Sequence, residues 1–79
     1  MDYDDTKERL PVVFGRNLRA ARLGAGLTPS EVAQRTGIAP GLLIQIESGT
    51  VDPDLILVGK LAKVVGCAAF MLLRGIAPQ

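Results

Sequence analysis

Residues 28–49, TPSEVAQRTGIAPGLLIQIESG, constrain the fold more than any other stretch of this sequence. Thr28, Pro29 and Glu31 together are typical of a helix start. The Thr28 hydroxyl can accept a hydrogen bond from the third helical amide, and Pro29 suits the first helical position. The Glu31 carboxylate can reach back to complete a capping box. The pattern predicts a short helix that runs to about Thr36.

A second short helix is predicted after a tight turn. Gly37 can take the left-handed conformation without steric cost, so the chain can turn sharply there. Pro40 suits the first turn of a helix over residues 40–48, which Gly49 ends. Helical periodicity gives this helix an inward and an outward face. The inward residues are Leu43, Ile46 and Glu47, and the outward residues are Pro40, Gly41, Leu42, Ile44, Gln45 and Ser48.

Three further helices are predicted from apolar residues at helical spacing. The first carries the stripe Phe14, Leu18, Ala21 and Ala25 and ends at Gly24 and Gly26. The fourth runs from an Asp54 cap to Gly66, with a buried stripe of Leu55, Val58, Leu61, Ala62 and Val65. The fifth is short and covers residues 68–74. The fold class predicted is all-α, a compact five-helix domain over residues 12–75 between a charged arm, 1–11, and a tail, 76–79.

Composition agrees with small packed helices. Hydrophobic residues make up 48% of the 79 positions and aromatic residues only 4%, which describes an aliphatic core in one small domain. Nine basic and eight acidic residues give a formal net charge of +1, so the overall balance does not indicate a nucleic-acid or membrane binder. Residues 36–54 contain acids but no Lys or Arg, which leaves the third helix neutral to acidic.

Other kinds of site have little support in the sequence. The chain has no His, and the lone Cys67 is expected to fill space as a small apolar residue, so we expect no enzyme, no cofactor and no small-molecule ligand. A solvated arm and a helix cap explain the acids better than a metal site does; these acids are Asp2, Asp4, Asp5, Asp52 and Asp54. In the apolar run 55–73, Lys60 and Lys63 would each cost roughly 2.5–3.5 kcal/mol inside a membrane. We therefore expect no membrane span and a cytoplasmic protein.

The chain resembles the Cro and phage-repressor type of helix-turn-helix domain, also called XRE-like, over residues 12–75. The residues that carry the resemblance are Phe14-Gly15, Leu18-Arg19, Arg22, Gly26-Leu27-Thr28, Val32-Ala33, Gly37, Ile46-Glu47-Ser48-Gly49, Pro53, Leu61-Ala62 and Gly66. In that family the basic residue matching Arg22 usually pairs with the acid matching Glu47. The resemblance therefore implies a structural ion pair between the first and third helices. It also implies a lambda-repressor-like fold for the whole domain, with the helix-turn-helix at helices 2 and 3.

The resemblance also implies a sequence-specific DNA-binding transcriptional regulator that lays its third helix in the major groove, as a homodimer on an inverted repeat of double-stranded DNA. The base-facing residues would be Ala39, Pro40, Gly41, Leu42 and Gln45. The residues along the phosphate backbone would be Thr28, Pro29, Ser48 and Thr50. The cations expected to contact phosphate are Lys7, Arg9, Arg16 and Arg35.

The outward positions depart from the family pattern. Family members commonly carry Gln, Arg, Ser or Thr, which read base edges, where this chain has Pro29, Pro40, Gly41 and Leu42. Gln45 keeps that capacity, and Leu42 can contact a thymine methyl group. An alternative hypothesis follows, in which a degenerate helix-turn-helix binds another protein through Leu42 and Ile44, as a regulator antagonist or an antitoxin-like module.

A dimer or partner surface is expected at Ile56, Phe70 and Met71. The last two positions are often polar in the family, whose members frequently dimerise through the last helix. The alternative is that Phe70 and Met71 pack onto the N-terminal arm near Tyr3.

Overall fold

A computed structural model describes residues 10–73, apart from the side chains of Ala69 and Phe70. Its elements are α1 (Leu10–Gly24), α2 (Pro29–Thr36), α3 (Pro40–Glu47), α4 (Leu55–Val65) and a short 3-10 segment, Ala69–Leu73. Residues 10–73 contain no strand, so the predicted all-α class is confirmed. The first helix begins two residues before the predicted domain boundary, and residues 1–9 lie outside the described part.

The predicted count of five helices is wrong, because the described residues form four α-helices. The segment expected as a fifth helix is the 3-10 segment, in which the Met71 N–H donates to the Ala68 carbonyl at 2.9 Å. This bond joins residues three apart, as in a 3-10 turn. The segment is also short, as 3-10 helices usually are.

Local signals set the ends of α2 as predicted. Thr28 Oγ1 accepts from the Glu31 N–H at 3.1 Å, and Glu31 Oε1 accepts from the Thr28 N–H at 2.8 Å, which completes the capping box. Gly37 ends the helix with φ 79°, a left-handed conformation that other residues rarely adopt. Asp54 caps α4 by accepting from the Leu57 N–H at 2.8 Å.

The core lies between the four helices. α3 packs against α1 and α2, while α4 packs against α2 and α1. The most fully buried side chains are Phe14, Leu18, Leu43, Ile46, Leu61, Leu72, Val13 and Val32. Leu55, predicted to be part of the buried stripe of α4, is instead 85% exposed. Its neighbour Ile56 is also exposed, so the first turn of α4 projects beyond the core.

No helix within residues 10–73 is long and apolar enough to cross a membrane. The apolar run 55–73 is divided between α4 and the 3-10 segment at Gly66, where the chain takes φ 81°.

Candidate nucleic-acid interface

The inner face of α3 is held against α1 by direct backbone contact. Gly15 is buried in the middle of α1. A Cβ placed on Gly15 would lie 2.7 Å from the Glu47 carbonyl oxygen and closer still to the Ile46 carbonyl oxygen. Any side chain at this position would therefore displace α3. The resemblance identified Gly15 as a matching residue, but its role became visible only when the two helices were placed together.

A bidentate ion pair fixes the same two helices. Arg22 Nε donates to Glu47 Oε2 at 2.7 Å, and Arg22 Nη2 donates to Glu47 Oε1 at 3.1 Å. Arg22 Nη1 also donates to the Leu27 carbonyl at 3.0 Å. The hydrogen bond to Glu47 raises the pKa of Arg22 against the opposing effect of burial. One guanidinium thus joins α1, α3 and the loop before α2.

The outer face of α3 carries most of the predicted base-facing residues. Ala39, Pro40, Gly41 and Gln45 are exposed. Leu42 was expected to face outward, but it is half-buried and packs against the core, so it offers only part of its surface. The amide of the Gln45 side chain has no hydrogen-bond partner among the described residues.

The start of α3 is left open. Ala39 occupies the N-cap position with φ −70° and ψ 141°, and its side chain makes no capping bond. Pro40 has no N–H, and the Gly41 N–H has no acceptor among the described residues. The first turn of α3 therefore presents one unpaired amide beside an exposed surface without charge.

The start of α2, expected along the phosphate backbone, is partly occupied by its own cap. The Thr28 N–H donates to the Glu31 carboxylate and Pro29 has no N–H, whereas the Thr28 hydroxyl only accepts, from the Glu31 N–H, and keeps its own proton. Hydrogen bonds from Thr28 lower the pKa of Glu31, most of all the one from the Thr28 backbone N–H. The Glu31 carboxylate is therefore negatively charged on the side where a phosphate is predicted to approach. In the first turn of α2, the Ser30 N–H is the one amide without an acceptor among the described residues.

The loop after α3 has its hydroxyls engaged. Ser48 Oγ and Thr50 Oγ1 each donate to the Gln45 carbonyl at 3.0 Å, and the two hydroxyl oxygens lie 3.2 Å apart. The Thr50 N–H donates to the same carbonyl at 3.0 Å. Because a hydroxyl has a single proton, Ser48 or Thr50 can donate to a phosphate only after it releases Gln45. Sequence reasoning did not predict this cap.

Arg35 is exposed in the last turn of α2, where it does not line the outer face of α3. It lines an open cleft of about 520 Å³ with Thr36, Lys60, Lys63 and Val64. The two lysines were missed as site residues, since they entered the sequence argument only as the polar face of an amphipathic helix. Their spacing of three showed that they share one face of α4, but not that this face meets the end of α2.

The residues of the predicted partner surface differ in their surroundings. Ile56 is 73% exposed on α4, whereas Met71 is half-buried and lines a different cavity, next to Cys67 and α1. The Phe70 side chain lies outside the described part. An apolar groove of about 260 Å³ is instead formed by Leu10, Phe14, Asp52, Pro53, Leu55, Val58 and Leu73. Leu10 and Leu73 were not among the predicted residues.

Within the described residues, no three His, Cys, Asp or Glu side chains gather into a possible metal site. Asp2, Asp4 and Asp5, which were weighed as possible ligands, lie outside those residues.

Residues 18–70 match the model of the family HTH_3, described as Helix-turn-helix. The chain is 37% identical over 49 residues to an HTH-type transcriptional regulator from Methanothermobacter thermautotrophicus, an alignment that covers 62% of this chain and 71% of the relative. It is similar in structure to the clp gene regulator ClgR from Corynebacterium glutamicum, with a TM-score of 0.82 and 26% identity, over 84% of this chain and 70% of that one. It is also similar to the restriction-modification controller protein C.AhdI from Aeromonas hydrophila, with a TM-score of 0.75 and 27% identity, over 89% of this chain and 98% of that one.

Proposed function

The chain belongs to the HTH_3 helix-turn-helix family, and from that premise we propose that it is a sequence-specific DNA-binding transcriptional regulator. In this proposal α3 enters the major groove, and the protein acts in the cytoplasm as a homodimer. Support comes from the relatives, two of which are described as regulators and a third as a controller protein.

The observation that carries the proposal is the contrast across α3. Gly15 and the Arg22–Glu47 pair hold its inner face in one position, so the outer face is presented to a partner in a fixed orientation. A major groove about 12 Å wide admits one helix. On the exposed face, Gln45 has the side chain suited to pair with a base edge. Its amide can form two hydrogen bonds with adenine at once, one with N6 and one with N7.

The remaining contacts follow from the geometry of each turn. The Gly41 N–H and the exposed surface of Ala39 and Pro40 lie on the side that approaches the bases. Leu42 contributes apolar contact with a thymine methyl group through the part it leaves exposed. Ser48 and Thr50 reach phosphate by giving up one bond to the Gln45 carbonyl, while Thr28, Pro29 and Arg35 flank the backbone.

Homodimerisation would place two α3 helices on an inverted repeat with half-sites about 34–36 Å apart, one turn of DNA. The exposed apolar side chains near the start of α4 favour such a pairing, because Leu55 and Ile56 are 85% and 73% exposed. We propose Leu55 and Ile56 as residues of the dimer surface.

The protein-interaction alternative has less support. It requires Leu42 and Ile44 to present a joint apolar surface, but Leu42 packs against the core and only Ile44 is well exposed, at 57%. The similar proteins also favour a regulator over an antagonist.

The test is fluorescence anisotropy of the purified protein on random duplex DNA across a salt series, followed by selection of bound sequences from a random pool. We expect salt-dependent binding and enrichment of an inverted repeat. Gln45→Ala should then weaken binding by about 5- to 150-fold for each half-site of the selected sequence, which corresponds to about 1–3 kcal/mol for one base contact.

Gln34→Ala is the matched control, because Gln34 is an exposed glutamine on α2 outside the outer face of α3. Its affinity should remain that of the wild type. Absence of binding even at low salt would contradict the proposed function, and equal affinities of the Gln45→Ala variant and the wild type would remove Gln45 from the base contacts.

A further inference from the structure

Three basic side chains from two helices line one open cleft. Arg35 comes from the last turn of α2, while Lys60 and Lys63 come from successive turns of α4. The packing of α2 against α4 brings them together. We call the surface formed by Arg35, Lys60 and Lys63 the basic cleft.

The basic cleft holds most of the exposed positive charge of the described chain. Residues 10–73 contain six Arg or Lys residues, of which Arg22 is buried in its pair with Glu47. The other five are all exposed, and three of them line the cleft. Within the described residues no carboxylate lies within ion-pair distance of these three side chains. Glu31 interacts with Arg35 only at longer range, because its carboxylate is bound to Thr28.

The proposed DNA-reading surface has less positive charge, since its neighbouring cation is the exposed Arg19 of α1, which lines a cleft with Ile44 and Ser48. α3 contains no Lys or Arg, and the start of α2 presents the Glu31 carboxylate. Affinity for duplex DNA depends largely on neutralising phosphates with Lys and Arg. A regulator with this α3 therefore needs cations from another part of its surface.

We propose that the basic cleft binds backbone phosphates of the same DNA duplex that α3 reads. This inference rests on the proposed function and adds a phosphate site that includes Lys60 and Lys63. The planar guanidinium of Arg35 suits bidentate contact with a phosphate, and the two lysines act as mobile point charges.

The position of the cleft fits this role. Arg35 lies four residues before Ala39, the residue at the start of α3. A chain of four residues spans at most about 14 Å, which is close to the width of a major groove, about 12 Å. Arg35, at the edge of the basic cleft, therefore lies within about 14 Å of the start of α3, which is within reach of the phosphates along the groove that α3 is proposed to enter.

The experiment measures duplex binding by the Lys60→Gln/Lys63→Gln variant across a salt series. Each phosphate contact contributes about 0.9 to the slope of log affinity against log salt concentration. We expect the slope to decrease by about 1.8 for each bound protomer, and so by about 3.6 for the proposed homodimer. The affinity at low salt should decrease equally for the selected and the random duplex. Gln45→Ala, in contrast, should affect only the selected duplex.

Two controls separate local charge from other causes. Lys60→Arg/Lys63→Arg retains both cations and should retain the wild-type slope. Ala20→Glu/Ala25→Glu changes the net charge by the same two units at exposed positions of α1 and the following turn, and should leave a larger slope than the Lys→Gln variant. Circular dichroism checks that each variant is folded.

Failure of the inference and failure of the proposed function give different results. If the wild type binds DNA and Lys60→Gln/Lys63→Gln keeps its slope, the inference is overturned while the proposed function stands. If the wild type binds no DNA at low salt, both are overturned.

Discussion

The inner and outer faces of α3 share eight residues of helix but differ in how strongly the rest of the molecule constrains them. On the inner face, Leu43 and Ile46 are fully buried. Gly15 of α1 touches the backbone of α3, and Glu47 is paired with Arg22. On the outer face, a side chain added to Gly41 would meet nothing within 4 Å, and the Gln45 amide has no partner among the described residues.

This difference separates the stability of the domain from its recognition chemistry. Residues on the inner face decide whether α3 is held in place, so changes there should unfold or displace it. Residues on the outer face contribute little to stability and can change without loss of the fold. The departures from the family pattern at Pro40 and Gly41 therefore leave the fold intact.

The largest effect is expected for Gly15→Ala on the inner face. The added methyl group would meet the carbonyls of Ile46 and Glu47, which are backbone atoms that cannot rotate away. We expect the free energy of unfolding to decrease by about 3 kcal/mol or more. This is at or above the upper end of the range that is typical when a well-packed core is overfilled. Urea denaturation measures it.

Gly24→Ala provides the control for this prediction, because Gly24 ends the same helix and has open space around it. It should leave the protein as stable as the wild type, or more stable by up to about 1 kcal/mol. Equal stability of both variants would show that α1 and α3 are not in close contact.

The second effect is expected for Glu47→Gln, which leaves the Arg22 charge without its partner. Removing one member of a buried pair typically costs about 3–5 kcal/mol. The two side chains keep 7% and 8% exposure, and Gln still accepts one hydrogen bond, so we expect a loss of about 2–3 kcal/mol by urea denaturation. The Arg22→Met/Glu47→Leu double variant should recover most of it, since it removes both charges. A double variant no more stable than the single one would contradict this account.

The smallest effect is expected for Gly41→Ala on the outer face. Replacing a helical glycine whose surroundings are open should raise the free energy of unfolding by about 0.5 kcal/mol. The same methyl group should weaken DNA binding in the anisotropy assay, because in the proposed complex Gly41 faces the groove and an added side chain would hold the helix away from it. A loss of stability of more than about 1 kcal/mol would contradict the difference between the two faces of α3, since it would mean that the outer face is also constrained by its surroundings.

Much of the fold could be predicted because its signals are local. Thr28, Glu31 and Asp54 cap helices through atoms no more than three residues away, and Gly37 and Gly66 turn the chain by their own conformations. The predictions that failed concerned Leu55, Leu42 and the fifth helix. Periodicity assigns a residue to a face of its helix, but it does not say where along the helix the core ends.

The candidate site was predictable only in part for the same reason. The outward position of Gln45 followed from helical spacing, and the pairing of Arg22 with Glu47 followed from the family resemblance. The bonds from Thr50 to the Gln45 carbonyl depend on the path of the loop after α3, which no spacing rule describes.

The sequence by itself determined where α2, α3 and α4 begin and which side of α3 faces the core, because caps and helical periodicity act over one or two turns. Tertiary packing alone decided that Gly15 meets the backbone of α3 and that Arg35 joins Lys60 and Lys63 in one cleft. These contacts depend on the angles and distances between helices, which the summed packing of the whole core sets.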